Sequence, residues 1–142
     1  MRLTVTRLRP SVRLPVYSSP GAAGFDLAAA DDVDIGPGEI RLVGTGLVVA
    51  VPEGYFLAIV ARSSTPLKRG LVVANGVGVV DSDYCGPADE VKIQLLNVTS
   101  EPVSVKAGDR LAQGIVLQAP RVTFVEGEAA GPSRGGFGST GN

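Results

Sequence analysis

The chain has 142 residues, enough for one domain, and 13 Lys and Arg against 14 Asp and Glu leave a formal net charge of −1. It holds no His, no Trp and one Cys, and only 5% aromatic residues. That composition excludes Ser-His-Asp and Cys-His nucleophiles, His- or Cys-ligated zinc and intrachain disulfides, and it leaves neither a basic footprint nor a stacking platform for nucleic acid.

The 19 Gly and 10 Pro interrupt any long helix, the 21 valines favour strands, and a 44% hydrophobic content calls for a packed core. Leu3, Val5 and Leu8 mark an opening strand with one buried face. Residues 10–24 read as loop and Gly36-Pro-Gly38 as a turn. Gly46–Val51 and Tyr55–Ala61 read as strands on either side of Pro52-Glu-Gly54. Ser63 to Gly70 fits one short helix, with Pro near its start and Gly at its end. Val72–Ala74 and Val77–Val80 flank Asn75-Gly76, a strong hairpin signal. Val91, Ile93 and Leu95 alternate with Lys92 and Gln94. Leu111–Leu117 and Arg121–Val125 supply the last strands. From Gly127 onward Phe137 is the one bulky apolar residue, so residues 127–142 read as a mobile arm on a domain of residues 1–126. The expected fold class is all-β, a barrel or sandwich with one short helix. The longest apolar runs are far too short to span a bilayer as a helix, and the N-terminus lacks a signal peptide's apolar block. With a lone thiol, the expected location is the cytoplasm.

Without His or a Cys pair, hydrolytic chemistry falls to a carboxylate base, with a metal held partly by substrate. Asp81 ends the glycine-punctuated apolar strand Gly76-Val-Gly-Val-Val80. It is either a base fixed where water is scarce or a β-turn Asp. Arg62-Ser63-Ser64 combines a cation, two hydroxyls and helix-start N–H groups, which is either a phosphate site or a plain helix cap. Lys68-Arg69 reads as a solvated face. Gly108-Asp109-Arg110 reads as a turn entering a strand. Gln113 is an amide donor to an anion or an edge residue. Phe137 is a lid over a flat ligand or part of a disordered end.

Five segments occur in order: Ala23-Gly-Phe-Asp-Leu27, Arg62-Ser-Ser64, Gly78-Val-Val-Asp-Ser-Asp-Tyr-Cys-Gly86, Gly108-Asp-Arg-Leu-Ala-Gln113 and Arg134-Gly-Gly-Phe-Gly-Ser-Thr-Gly141. Each is weak alone, but the ordered set, spanning residues 23–141, resembles the five-motif signature of the trimeric dUTPases. The resemblance implies a jelly-roll-like β-barrel that assembles as a homotrimer with shared active sites. It also implies hydrolysis of dUTP to dUMP and pyrophosphate with Mg2+, which limits uracil in DNA and supplies dUMP for thymidylate synthesis. Carried over, Asp81 activates the attacking water, and Tyr84 packs on the deoxyribose and crowds out a 2′-hydroxyl. Asn75, Gly78, Val79 and Val80 belong to a hairpin that reads uracil's edge, with Lys92 flanking the pocket. Arg62, Ser63, Ser64 and Gln113 serve the phosphates. Arg134, Phe137, Gly138, Ser139 and Thr140 form the closing arm. Asp26 contacts Mg2+ through water or stays structural. No nucleic acid or membrane partner is implied.

The chain departs from the commoner family pattern in three places. Two residues fewer separate Arg134 from Phe137, Gly86-Pro-Ala-Asp-Glu-Val91 is longer, and Ser64 stands where many members have Gly. The same fold houses dCTP deaminases and bifunctional dCTP deaminase–dUTPases, which use a Glu base. Asp81-Ser-Asp-Tyr84 and the Phe137 arm favour dUTPase. Asp81 itself argues against a non-enzymatic nucleotide-binding trimer.

Overall fold

The computed structural model describes residues 1–136. Among them are eleven strands and one helix: β1 (Thr4–Arg7), β2 (Phe25–Ala28), β3 (Val33–Ile35), β4 (Ile40–Gly44), β5 (Leu47–Ala50), β6 (Tyr55–Ala61), α1 (Ser64–Arg69), β7 (Leu71–Val73), β8 (Gly78–Val80), β9 (Lys92–Asn97), β10 (Val103–Val105) and β11 (Arg110–Gln118). Every pairing is antiparallel, and the strands form four small sheets in the orders β1-β5, β10-β3, β2-β11-β6-β8 and β4-β9-β7. This is the expected all-β, jelly-roll-like architecture. No helix among the described residues is long and apolar enough to cross a membrane.

The core follows from period-2 alternation. Ile93 and Leu95 of β9 point inward and are inaccessible, as are Leu27, Ile35, Leu57, Leu71, Val105 and Leu111 from six other elements or their ends. Asn97 continues the inward face of β9 and is equally buried. Its Nδ2 donates to the carbonyls of Ile35 (2.9 Å) and Glu101 (2.8 Å), while its Oδ1 accepts from the N–H and hydroxyl of Thr99 (both 2.8 Å). All of its hydrogen-bonding capacity is used, which removes most of the cost of burying an amide.

Three expectations are corrected. β2, β3, β4 and β10 are strands in segments that carried no clear strand signal; each has five or fewer residues. Arg121–Val125 forms no strand among the described residues, and Val122, Phe124 and Val125 are exposed. Asn75-Gly76 does make a tight turn, with Gly76 at φ +72° and its N–H donating to the Val73 carbonyl at 3.0 Å. The two flanking strands do not pair with each other, however. β7 pairs with β9 and β8 pairs with β6, so the turn carries the chain from the edge of one sheet to the edge of another.

Candidate active site

That seam between sheets holds a cavity of about 320 Å³. Gly78, Val79 and Val80 of β8, with Ile59 of β6, form one wall; Leu42 of β4 and Lys92 and Gln94 of β9 form the other; Asn75, Asp81, Tyr84, Glu90 and Val91 complete the lining. β8 lies at the edge of its sheet, so one row of its backbone donors and acceptors has no partner strand, and all three of its residues line the cavity. An edge of this kind can hydrogen-bond a flat heterocycle much as it would another strand. Gly78 is buried, and a Cβ there would lie only 3.0 Å from Ile59, so the strand packs closely at this point. Seven residues predicted from the sequence therefore converge here: Asn75, Gly78, Val79, Val80, Asp81, Tyr84 and Lys92. Asp81 is exposed, not fixed where water is scarce: it opens a turn in which its carbonyl accepts the Tyr84 N–H at 3.2 Å, and its carboxylate accepts no hydrogen bond among the described residues, which leaves it open to a water molecule.

A second cavity, of about 380 Å³, is lined by Arg62, Ser64, Thr65, Lys68, Arg69, Gly108, Asp109 and Arg110. Of the two serines only Ser64 lines it; the exposed Ser63 occupies the N-cap position of α1 but makes no capping hydrogen bond through its side chain. Thr65 instead anchors the helix, its buried hydroxyl donating to the Leu111 carbonyl at 3.0 Å. Lys68 is exposed, as expected of a solvated face, Arg69 is half-buried, and both line this cavity on the same side of the six-residue helix as Ser64. Arg69 donates to Asp109 at 2.6 Å and holds that carboxyl below the ordinary carboxylate range, assisted by the Lys106 N–H.

Asp26 sits behind this cavity with its side chain only 7% exposed. Arg62 Nε donates to Oδ1 at 2.8 Å and Arg110 donates to Oδ2 at 3.0 Å. A β-bulge where β11 meets β2, between Arg110 and Ala112, turns Arg110 toward that carboxylate. Both Asp26 oxygens are thus engaged by arginines. Among the described residues no three His, Cys, Asp or Glu side chains group to hold a metal ion. These side chains alone do not fit a magnesium site.

Gln113 lies between the two cavities on β11, level with Asp26 on one side and Val60 on the other. Arg134 is exposed in the C-terminal stretch. Phe137, Gly138, Ser139 and Thr140 lie outside the described residues. Leu42, Ile59, Glu90, Val91 and Gln94 of the first cavity had no site role expected from the sequence. The alternation of β9 carried a signal for Gln94, because Lys92 and Gln94 share a face. No sequence signal marked Leu42, which comes from a strand two sheet positions from β7.

The two cavities share no residue, and β6 measures their separation. Val80 is level with Leu57, which sets Asp81 level with Phe56, while Arg62 follows the far end of the same strand. Six residues of strand at ~3.3 Å each put about 20 Å between Asp81 and Arg62 along one chain.

A family model described as dUTPase matches residues 11–141. The chain is 44% identical over 144 residues to the deoxyuridine 5′-triphosphate nucleotidohydrolase of Wolinella succinogenes, covering 99% of this chain and 95% of that one. Among solved structures it is similar to the dUTPase of Streptococcus mutans (33% identity, TM-score 0.78, covering 86% of this chain and 98% of the other). It is also similar to a structure of the Staphylococcus bacteriophage 80alpha dUTPase with dUPNHPP (25% identity, TM-score 0.84, covering 99% and 98%). The ordered motifs, the cavity that holds the third of them around Asp81 and these matches agree, and the chain belongs to the dUTPase family.

Proposed function

We propose that this chain hydrolyses dUTP to dUMP and pyrophosphate, and that its active sites are shared between subunits of a homotrimer. The observation that carries the reading is the open Asp81 carboxylate at the rim of a slot walled by the unpaired edge of β8. Uracil enters the slot and pairs with the backbone of Gly78–Val80. The close walls leave no room for thymine's methyl group, and cytosine's reversed donor and acceptor pattern mismatches the strand edge. Tyr84 faces the sugar. Asp81 takes a proton from water as the water oxygen bonds to the α-phosphorus, and the bond from that phosphorus to the β-bridging oxygen breaks, releasing pyrophosphate.

Arg62, Ser63, Ser64 and Gln113 meet the phosphates. Arg62 and the serines after it lie about 20 Å or more from Asp81 along the strand, and Gln113, level with Val60, about 13 Å, too far to serve the same nucleotide from the same chain. A neighbouring subunit supplies them, which a cyclic head-to-tail arrangement allows. Asp26 holds Arg62 and Arg110 side by side in position for that contact. Magnesium would be held by the triphosphate rather than by these side chains and would offset its charge, since a phosphate-bound ion needs few protein ligands. Residues 127–142 act as an arm that closes over the bound nucleotide through Arg134, Phe137, Gly138, Ser139 and Thr140. The exposed free thiol of Cys85 suits a reducing compartment such as the cytoplasm.

The test is to incubate the protein with dUTP, dCTP or dTTP plus Mg2+ and separate the products. Formation of dUMP and pyrophosphate from dUTP alone is expected. Ammonia from dCTP, or binding without turnover, would refute the reading.

A further inference from the structure

The segment Gly86–Val91, longer than in the commoner family form, has no part in the chemistry above, yet it closes on the base cavity. It folds back on itself: the Gly86 N–H donates to Asp89 Oδ2 at 2.7 Å and the Asp89 N–H to the Gly86 carbonyl at 3.0 Å. This return brings Glu90 beside Tyr84, whose phenol donates to the Glu90 carbonyl at 3.2 Å. The Glu90 side chain runs the other way. Its Oε1 accepts the buried Gly46 N–H at 2.7 Å, and a Cβ on Gly44 would lie only 2.5 Å from that oxygen. Gly44-Thr45-Gly46 is thus a cradle shaped for one carboxylate. Thr45 closes it, its N–H and hydroxyl both donating to the Val91 carbonyl at 3.2 and 2.6 Å. A buried N–H needs an acceptor, so the bond to Gly46 fixes where residue 90 lies, and residue 90 fixes the far end of the Tyr84 ring.

We propose that Glu90 is a specificity-determining positioning residue, pinning Tyr84 upright at the sugar end of the cavity so that a ribose 2′-hydroxyl is excluded. The inference rests on the dUTP reading of this cavity and names the residue that sharpens its selectivity for deoxyribose. A tyrosine ring tethered at both ends, by its backbone N–H to the Asp81 carbonyl at 3.2 Å and by its phenol to Glu90, cannot swing aside for a larger sugar. The same ring untethered at the phenol yields.

The experiment measures kcat/KM for dUTP against UTP, and by calorimetry the affinities for dUMP against UMP. Tyr84→Phe should lower the deoxyribose preference about fivefold, the worth of one ordinary hydrogen bond. Glu90→Ala should lower it by at least as much, and Glu90→Gln, which keeps an acceptor for Gly46, should stay near the unmodified protein. The double variant Tyr84→Phe/Glu90→Ala should fall no further than Glu90→Ala alone, because Tyr84→Phe removes the tether and Glu90→Ala frees the carbonyl that anchors it. A purely structural role would lower stability and leave the sugar ratio unmoved. Tyr84→Phe leaves the cradle intact and tests the tether even where Glu90→Ala does not fold. An unchanged ratio in Tyr84→Phe, or losses that add in the double variant, overturns the proposal. Failure of the unmodified protein to hydrolyse dUTP would refute the functional reading instead, and the monophosphate affinities would still decide the tether.

Discussion

Mixing two inactive variants should restore activity. Asp81→Asn removes the base at one end of β6, and Arg62→Ala removes a phosphate contact about 20 Å away, past its other end. Alone, Asp81→Asn should lose two to four orders of magnitude in kcat, roughly the worth of a positioned base. Arg62→Ala should lose about two, the typical cost of removing one charge-stabilising donor. If each site takes Asp81 from one subunit and Arg62 from another, random reassembly of an equal mixture gives a simple statistic. The subunit lending Asp81 comes from the Arg62→Ala pool half the time, and the subunit lending Arg62 comes from the Asp81→Asn pool half the time. About one quarter of the sites are then intact, and the mixture should reach about one quarter of the unmodified turnover. Each parent stays at 1% or less on the same estimate. The assay is pyrophosphate release after co-refolding the two variants, with size measured by light scattering. A mixture no more active than the mean of its parents would refute both the strand-length argument and the shared site.

Four other outcomes are expected. Asp81→Asn should bind dUMP with nearly unchanged affinity by calorimetry while losing turnover; near-normal turnover would eliminate it as the base. Asp26→Asn keeps only one oxygen for two arginines, so KM for dUTP should rise about tenfold with the Mg2+ concentration for half-maximal activity unchanged; a shifted Mg2+ dependence would make the carboxylate an outer ligand of the ion instead. Arg69 depresses the Asp109 carboxyl, so below its ordinary value of 3.8 the unfolded chain binds a proton before the folded one does; that contribution is present above this pH and is lost as the pH falls through the folded value, and Asp109→Asn should flatten the decline in denaturant stability over this window. Deleting residues 131–142 should leave the assembly intact by light scattering and sharply reduce turnover; full activity in the truncated protein would dismiss the arm.

Composition and local pattern determined much of this protein. The lack of His and of Cys pairs restricted the base to a carboxylate, and the Gly, Pro and Val content dictated short strands around one brief helix. Alternation in β9 marked Ile93 and Leu95 as core, and the strand-ending position of Asp81 marked it as a candidate base. These are local properties, set by side-chain chemistry and by the two-residue repeat of a strand. Partnership is not local. Asn75-Gly76 carries the full hairpin signal, yet its flanking strands pair with β9 and β6, because pairing is decided by which edges the rest of the barrel leaves open. Asp26 looked like an outer metal ligand or a structural residue, and only the bulge in β11 and the end of β6 brought two arginines to it. Glu90 had no signature at all: its place depends on a cradle built by Gly44 and Gly46, more than forty residues earlier in the chain. Sequence spacing carries no information about contacts across such a gap, and only closure of the barrel brings them together.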